Sequence, residues 1–547
     1  MSIDIAAENA RTDGRETWEN LKVFGYGDIS VAGFARSISK NVGETMQFSV
    51  DGAATVIDIY RVGWYGGDGF RKVATVANAP TSQPEAATIP DSNGATTCTA
   101  WSVTASWAIP ADAVSGLYLA LVRSVPGPDA FYISFIVRDD AATADIVYKT
   151  SDSTWGAAYN HYGTKSAIDG KNIYGTGQGV GNIMTRSLAV DYHRPVITRG
   201  GVEQTFWMAC EMPLIRFLER QGFAIKYVSC VDLDKQGKSL LAGASVFLSS
   251  GHDEYWSGPM RRAVEQYRDE DAGHSVFMSG NEVFWRHRYV YDGDRTTLVC
   301  YKDTMPGPNG YTRAAGEPFD PESWTGTWKD TRWPEREPEW LLTGTDFRLN
   351  GITDLDATVP RNPYGGHKVW GGSSLVDGDV TFTRMIGFEA DSARPTQPTE
   401  SVRMLAAYTR NIDGKYADNN GQNYDGDGDL EWGIVSQRYA GGGLTVGFGT
   451  CQWSWTLDGT HDRGTGTEVS LAAQQMTVNL LRDLGAEPET LMGGIEPEPR
   501  NPLGIYGAVP GSTGSAPVRR WDGTSYVDQD VYIWDGTQYL RVDPTLG

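Results

Sequence analysis

The stretch "VFLSSGHDEYWSGPM", residues 246–260, sets His252, Asp253, Glu254 and Tyr255 in a row between an apolar run and a proline. Each of these side chains can move a proton or donate to a metal ion. A histidine oriented by a neighbouring carboxylate is the usual construction of a general base. His252, Asp253 and Glu254 are therefore candidate catalytic residues, and Tyr255 is a candidate metal ligand or substrate contact. The alternatives are a packing role for Tyr255 and helix capping by Asp253 and Glu254. Further along, "SGNEVFW" (279–285) supplies Asn281, a fourth catalytic candidate, and Glu282.

Several familiar chemistries are missing. The seven histidines show no H-x-x-H or HExxH pair to seat zinc. "SSGHD" lacks the G-x-S-x-G of a serine hydrolase. The elbow at the end of "VFLSS" offers Ser250 and His252 but no cysteine, which a thiol amidotransferase needs at that place. In "DNNGQNYDGDGDLEW", Asp425, Asp427 and Asp429 alternate with glycines ahead of Glu431, a set of hard oxygen donors that suits Ca²⁺. The helix–loop–helix frame is absent, which leaves a solvated acidic turn as the other reading. Trp453 and Trp455 could stack on sugars or fill a core.

The elements that must hold these residues follow from hydrophobic patterning. Up to residue 140, "ATVIDIYRVGWYGGDG", "WSVTASWAIPADAVSGLYLALVRS" and "AFYISFIVRDD" are short strands between Gly, Pro and Asp turns, the pattern of an Ig-like β-sandwich. From 141 to 495 strands and helices alternate. "EMPLIRFLERQGFAIKYVSCVDLD" places Leu214, Phe217 and Leu218 at helical spacing and stops at Gly222. "GPMRRAVEQYRDEDAGHSVFMSG" places Met260, Ala263, Val264 and Tyr267 at i, i+3, i+4 and i+7 before another strand. Such alternation predicts a mainly parallel sheet covered on both faces. Ligands then gather beyond the carboxyl ends of its strands, where both "SSGHDEYW" and "SGNEVFW" fall. The region after 290 reads as loop-rich and closes on the helix "TEVSLAAQQMTVNLLRDLG", capped by Gly485. A proline-punctuated linker begins at 496, and W-D-G-T-x-Y repeats at 521–526 and 534–539 predict a small module of hairpins.

Composition narrows the partners. The 547 residues are 40% hydrophobic and 11% aromatic, enough for several cores. A net charge of −22 repels phosphate backbones and argues against nucleic acid. The five cysteines are scattered, with no CxxC, so buried reduced thiols are expected. The polar stretch "MSIDIAAENARTDGRETWENLKVFGYG" has no hydrophobic signal core, and no apolar run approaches the ~18 residues of a membrane span. A soluble chain without a signal peptide is the expectation.

The segments "TWGAAYNHYG", "PLIRFLERQGFAIKYVSCVDLD", "SSGHDEYWSGPMRRAV", "SGNEVFWR", "EPEWLLTG" and "GFGTCQWSWTLDG…QQMTVNLLRDLGA" occur in the order found in the large (beta) subunit of N,N-dimethylformamidase, which the chain resembles over residues 15 to 490. The resemblance implies a glutamine-amidotransferase-like central domain and hydrolysis of a small amide at a ferric ion held by two tyrosines and a glutamate. Hard trivalent cations suit such anionic oxygens. It implies Tyr255 as one phenolate and Glu339 as the carboxylate, with Glu335 and Glu337 close in register. The chain departs from the pattern in two places: Phe284 stands where the second tyrosine is expected, with Tyr289 and Tyr291 as substitutes only if the loop folds back, and "TWGAAYN" carries an extra residue.

Two readings of function follow. One is a soluble iron-dependent amidohydrolase, cytoplasmic in the absence of a signal peptide. The other takes the terminal repeats as similar to modules of bacteriophage minor tail proteins. It expects a virion tail protein, homo-oligomeric and bound to other tail proteins, whose dimethylformamidase-like domain binds a host-surface carbohydrate or amide, with cleavage of that molecule left open.

Overall fold

The computed structural model describes residues 3–22, 30–125, 127, 129–154, 171–176, 186–196, 206–302, 324–330, 336–418, 423–463 and 468–496, apart from the side chains of Lys171, Thr176, Thr353 and Glu400, together with the backbone of four short strands beyond them. The alternating segments of the first region form two sheets. One has three strands, Val31–Ala35, Thr45–Gly52 and Ala105–Ala108. The other has six, in the order Arg15–Thr17, Gly69–Ala77, Val56–Val62, Gly116–Arg123, Ala130–Arg138, Ser39–Asn41. Side chains from both sheets meet in one core that includes Phe48, Ile59, Trp107 and Phe135.

The six-stranded sheet is covered on its other face as well. Along Gly116–Arg123, Tyr118, Ala120 and Val122 enter the sandwich core, while Leu117, Leu119 and Leu121 enter a second core with Trp207, Leu214 and Phe217. This is the period-2 geometry of a strand applied to two apolar faces. The sandwich and the α/β region therefore share a hydrophobic layer. Arg61 and Glu219 form a fully buried ion pair at 2.8 Å across it.

The central sheet has nine strands and corrects the expectation of mainly parallel pairing. Ile225–Val228, Ile146–Lys149, Val246–Gly251, His274–Ser279 and Leu444–Gly447 run parallel, in that spatial order. Gly426–Arg438, Val402–Tyr416, Thr345–Val359 and Val380–Ala393 continue it as antiparallel neighbours. The added strands reach 15 residues where the parallel ones have 4 to 6. They follow one another without the crossover helices that parallel pairing requires. Their irregular alternation, broken by register shifts such as that between Leu349 and Ile352, hid them in a stretch read as loop-rich.

The helices form where their apolar stripes predict. Gly258–Glu270 starts on Ser257, whose hydroxyl accepts the amide of Met260 at 3.2 Å, with a proline in the first turn. Asp253 and Glu254 are thus not its caps. Met260, Ala263, Val264 and Tyr267 are buried against Phe247, Trp256 and Phe277. Trp207–Arg220 ends ahead of Gly222, at φ +70°, and Leu471–Asp483 ahead of Gly485. Trp453 and Trp455 are wholly buried, so core packing holds for both. Beyond residue 496, Arg519–Trp521 pairs with Tyr526–Asp528 and Val531–Trp534 with Tyr539–Val542, as two antiparallel hairpins. Their D-G turns lie outside the described residues. Among the described residues no helix is long and apolar enough to cross a membrane.

Candidate functional site

The chain passes from the strand Ile146–Lys149 to its neighbour on one side, Ile225–Val228, then crosses to Val246–Gly251 on the other. A reversal of this kind opens a crevice at the carboxyl ends of the strands. Into it project Lys149–Asp152, the 252–255 row, and Asn281 and Glu282 after the strand His274–Ser279. All of them are buried.

Tyr255 meets a second phenol there. Its hydroxyl donates to the Tyr174 oxygen at 2.6 Å, and Tyr174 donates to Glu254 Oε1 at 2.9 Å. Lys302 caps the cluster from the ring side, with Nζ 3.7 Å from the Trp285 ring centroid, 3.9 Å from that of Tyr174 and 4.9 Å from that of Tyr255. Burial pushes the Lys302 ammonium down to about 7, against the pull of Glu254. Like Asn281, Lys302 is a non-glycine residue at positive φ, +48° against +50°. Strain of this kind persists only where the surroundings impose it.

His252 lies beside the same carboxylate, Glu254. Its Nε2 lies 2.7 Å from Glu389 Oε2 and 3.7 Å from Glu254 Oε2. Burial disfavours the imidazolium, but Glu389, Glu254 and Asp253 outweigh it and hold His252 above its ordinary value. Asn281 donates from Nδ2 to Glu389 Oε2 at 2.7 Å and from its backbone to Asp391 Oδ1 at 2.7 Å. Gly280 makes this approach feasible: a Cβ there would sit 2.2 Å from the Glu389 carbonyl oxygen. The elbow at the end of the strand thus presents a carboxamide, where nucleophile-elbow enzymes present a serine or cysteine.

Asp253 turns the other way. Its Oδ2 pairs with the buried Lys149 ammonium at 2.5 Å and accepts the Ser249 hydroxyl. Glu282 lies beside it. Burial, together with the Asp253 charge, pushes the Glu282 carboxyl well above the usual range. These two form a floor under the site.

Glu339 does not join the phenols. It pairs with Lys329 at 2.9 Å, and Lys329 also holds Asp346 at 2.9 Å. Burial pushes Glu339 up to about 7, against Lys329. Of its neighbours in register, Glu337 is exposed, and Glu335 lies outside the described residues. The Phe284 ring packs on Trp285 and Phe347, each 5.1 Å away, as part of an aromatic wall. Tyr289 bonds to Tyr192 at 3.1 Å and Tyr291 to Asp234 at 2.6 Å, so neither stands in for a missing phenol. "TWGAAYNHYG" falls, after its first residue, outside the described residues.

The described part of the acidic stretch runs into one strand of an antiparallel pair. Asp427 and Asp429 sit on the strand Gly426–Arg438, accepting from the Gly414 amide at 2.8 Å and the Asn411 side chain at 3.1 Å. Asp425 lies 4.0 Å from Lys415. Among the described residues no three His, Cys, Asp or Glu side chains form a metal-binding group.

Of the residues that sequence reasoning named, the fold brings His252, Glu254, Tyr255 and Asn281 together, and it adds Tyr174, Lys302 and Glu389, which that reasoning did not name. The signal for Glu389 was a carboxylate inside the otherwise uncharged run "MIGFEA". "NIYGTG" around Tyr174 carried none. Residues 56–466 match the family model described as N,N-dimethylformamidase beta subunit-like, C-terminal. The match starts within the sandwich and ends ahead of the helix Leu471–Asp483. No curated protein gives a significant match to the chain.

Proposed function

The chain belongs to the N,N-dimethylformamidase beta subunit-like family, and from that footing we propose that it hydrolyses a C–N amide bond at a hard metal ion held by Tyr174, Tyr255 and Glu254. The observation that carries this reading is the approach of three oxygens, 2.6 Å from phenol to phenol and 2.9 Å from phenol to carboxylate. Two phenols and a carboxylate fit a trivalent, oxygen-seeking cation, and iron is the one the family implies. When bound, such an ion acidifies water and polarises a carbonyl. Glu389 and His252, 2.7 Å apart, then take and return the proton of the attacking water. Asn281 holds Glu389 in place. The ring of Phe284, packed on Trp285 and Phe347, adds an apolar wall beside these groups. Phe284 has no ligand role in this reading, since Tyr174 supplies the second phenol.

The test is metal analysis of the purified chain, with the visible spectrum. One iron per chain and a phenolate-to-iron band, both lost in Tyr174→Phe, are expected. A chain that takes up no metal and cleaves no amide would sink the proposal.

A second reading is favoured by the two terminal hairpins, Arg519–Trp521 with Tyr526–Asp528 and Val531–Trp534 with Tyr539–Val542. In it the chain is a homo-oligomeric component of a bacteriophage tail, and the site engages a carbohydrate or amide on the host surface. Antibody detection in purified particles tests it, and a protein found only free of particles counts against it.

A further inference from the structure

A cleft of about 400 Å³ lies where the sandwich meets the α/β region, and none of its lining residues belongs to the candidate metal site. Its size is within the roughly 300–1,000 Å³ of small-molecule sites. Two ion pairs cross-link its walls. Arg36 of the sandwich gives Nε and Nη2 to Asp294, in the turn between the strands Trp285–Asp292 and Arg295–Val299, at 3.1 and 2.7 Å. Arg138 gives Nη1 to Asp232, on the helix Cys230–Gln236, at 2.5 Å. The walls are thus fixed before a ligand arrives, which spares it the cost of ordering them. Strand geometry supplies the rim. Along Thr45–Gly52, Met46 and Phe48 enter the sandwich core, so Thr45 and Gln47 point outward, and both line the cleft. Gln236 lines it from the helix.

These walls select the chemistry of a ligand. Among the described residues only Ile38 and Val231 bring aliphatic side chains to the cleft, so an apolar molecule has little to pack on. An anion finds both guanidiniums committed. Besides Asp294, Arg36 serves the Thr99 and Trp101 carbonyls at 3.1 Å each, and besides Asp232, Arg138 serves Ser39 and Asp140. The lining holds Arg36, Lys40, Arg138 and Lys235 against Glu44, Asp232 and Asp294, close to neutrality, which favours neither sign of ion. A neutral ligand rich in hydroxyls suits such a surface. Each hydroxyl can donate to a carboxylate or carboxamide oxygen and accept from an amide or ammonium.

We propose that this cleft binds a neutral carbohydrate unit, held between Thr45 and Gln47 of the sandwich and Gln236 of the helix. The proposal does not rest on the amide-hydrolase reading, since it concerns a separate site and asks for no reaction there.

The experiment applies the full chain to an array of neutral and acidic mono- and oligosaccharides, then titrates the strongest neutral binder into variants by calorimetry. Neutral saccharides are expected to bind. Gln47→Ala and Gln236→Ala, both at exposed positions, should each weaken that binding roughly two- to tenfold, the worth of a hydrogen bond. Thr45→Trp narrows the mouth with a residue that strands favour, and should weaken it at least about tenfold. If Thr45→Trp fails to fold, the two alanine variants decide the matter. Binding of acidic saccharides alone overturns the proposal, as does an array that shows no binding. Neutral binding that withstands the cleft variants overturns it too, and its loss in Tyr174→Phe instead would put the sugar at the metal site.

Discussion

The hydroxyls of Tyr255 and Tyr174 lie 2.6 Å apart although the two residues are 81 positions apart in the chain. Both phenols are buried, and Glu254 accepts from the second. If this group is a metal site, Tyr174→Phe and Tyr255→Phe should each lower bound iron at least about tenfold, the lower end of the effect of losing a group at such a site. Far-ultraviolet circular dichroism should be unchanged, because a phenyl ring fills nearly the same volume. Elemental analysis of the three proteins side by side checks this. Iron retained in both variants would move the site elsewhere.

Glu389 should matter to turnover more than to metal. Its Oε2 serves both His252 and Asn281, while Glu254 is the carboxylate beside the phenols. Glu389→Gln is expected to lower kcat by about 10²- to 10⁴-fold, the usual worth of a positioned acid–base group. Iron content should stay at the unaltered level. A drop in iron that matches the drop in kcat would assign Glu389 to the metal instead.

These two residues also show what local pattern conveys and what it does not. Met260, Ala263, Val264 and Tyr267 announce their helix because helical spacing is a property of neighbours in sequence. The placing of "SSGHDEYW" at a strand end follows from the same kind of reasoning. Glu389 reaches His252 from a strand at the far edge of the nine-stranded sheet, and Tyr174 reaches Tyr255 from a separate short hairpin. No periodicity connects them. Glu339 shows the complementary limit: its motif is visible in the sequence, but the pairing with Lys329 is not.

Stability should fall as pH rises through neutrality, in part because of Glu211. Burial pushes its carboxyl from an ordinary value of 4.5 up to about 8, with Ser151 and Tyr148 as its hydrogen-bond donors. The folded protein therefore keeps a proton that the unfolded chain releases. The stability linked to it is fully present below about 4.5 and is lost as pH approaches 8. Glu211→Gln has no proton to lose. Its stability relative to the unaltered chain should rise steadily between pH 5 and pH 8, as followed by urea unfolding at several pH values. A difference that stays flat, or runs the other way, would mean that Glu211 is ionised in the folded protein.

The join between the sandwich and the α/β region can be tested through Arg61 and Glu219. Both side chains are fully buried, and they contact each other through two nitrogen–oxygen pairs at 2.8 and 2.9 Å. Glu219 also accepts from Asn9 and Tyr227. Arg61→Met removes the only charged partner of that carboxylate among the described residues, and breaking a buried pair in this way costs about 3–5 kcal/mol. Replacing both, as Arg61→Met with Glu219→Leu, leaves no buried charge, although it strands the Asn9 and Tyr227 donors. The double variant should therefore recover a good part of the loss. The two ΔG values from urea titrations decide the matter. If the single variant is as stable as the unaltered protein, the pair is not what joins the two regions, and their shared apolar layer of Leu117, Leu119 and Leu121 against Leu214 and Phe217 suffices alone.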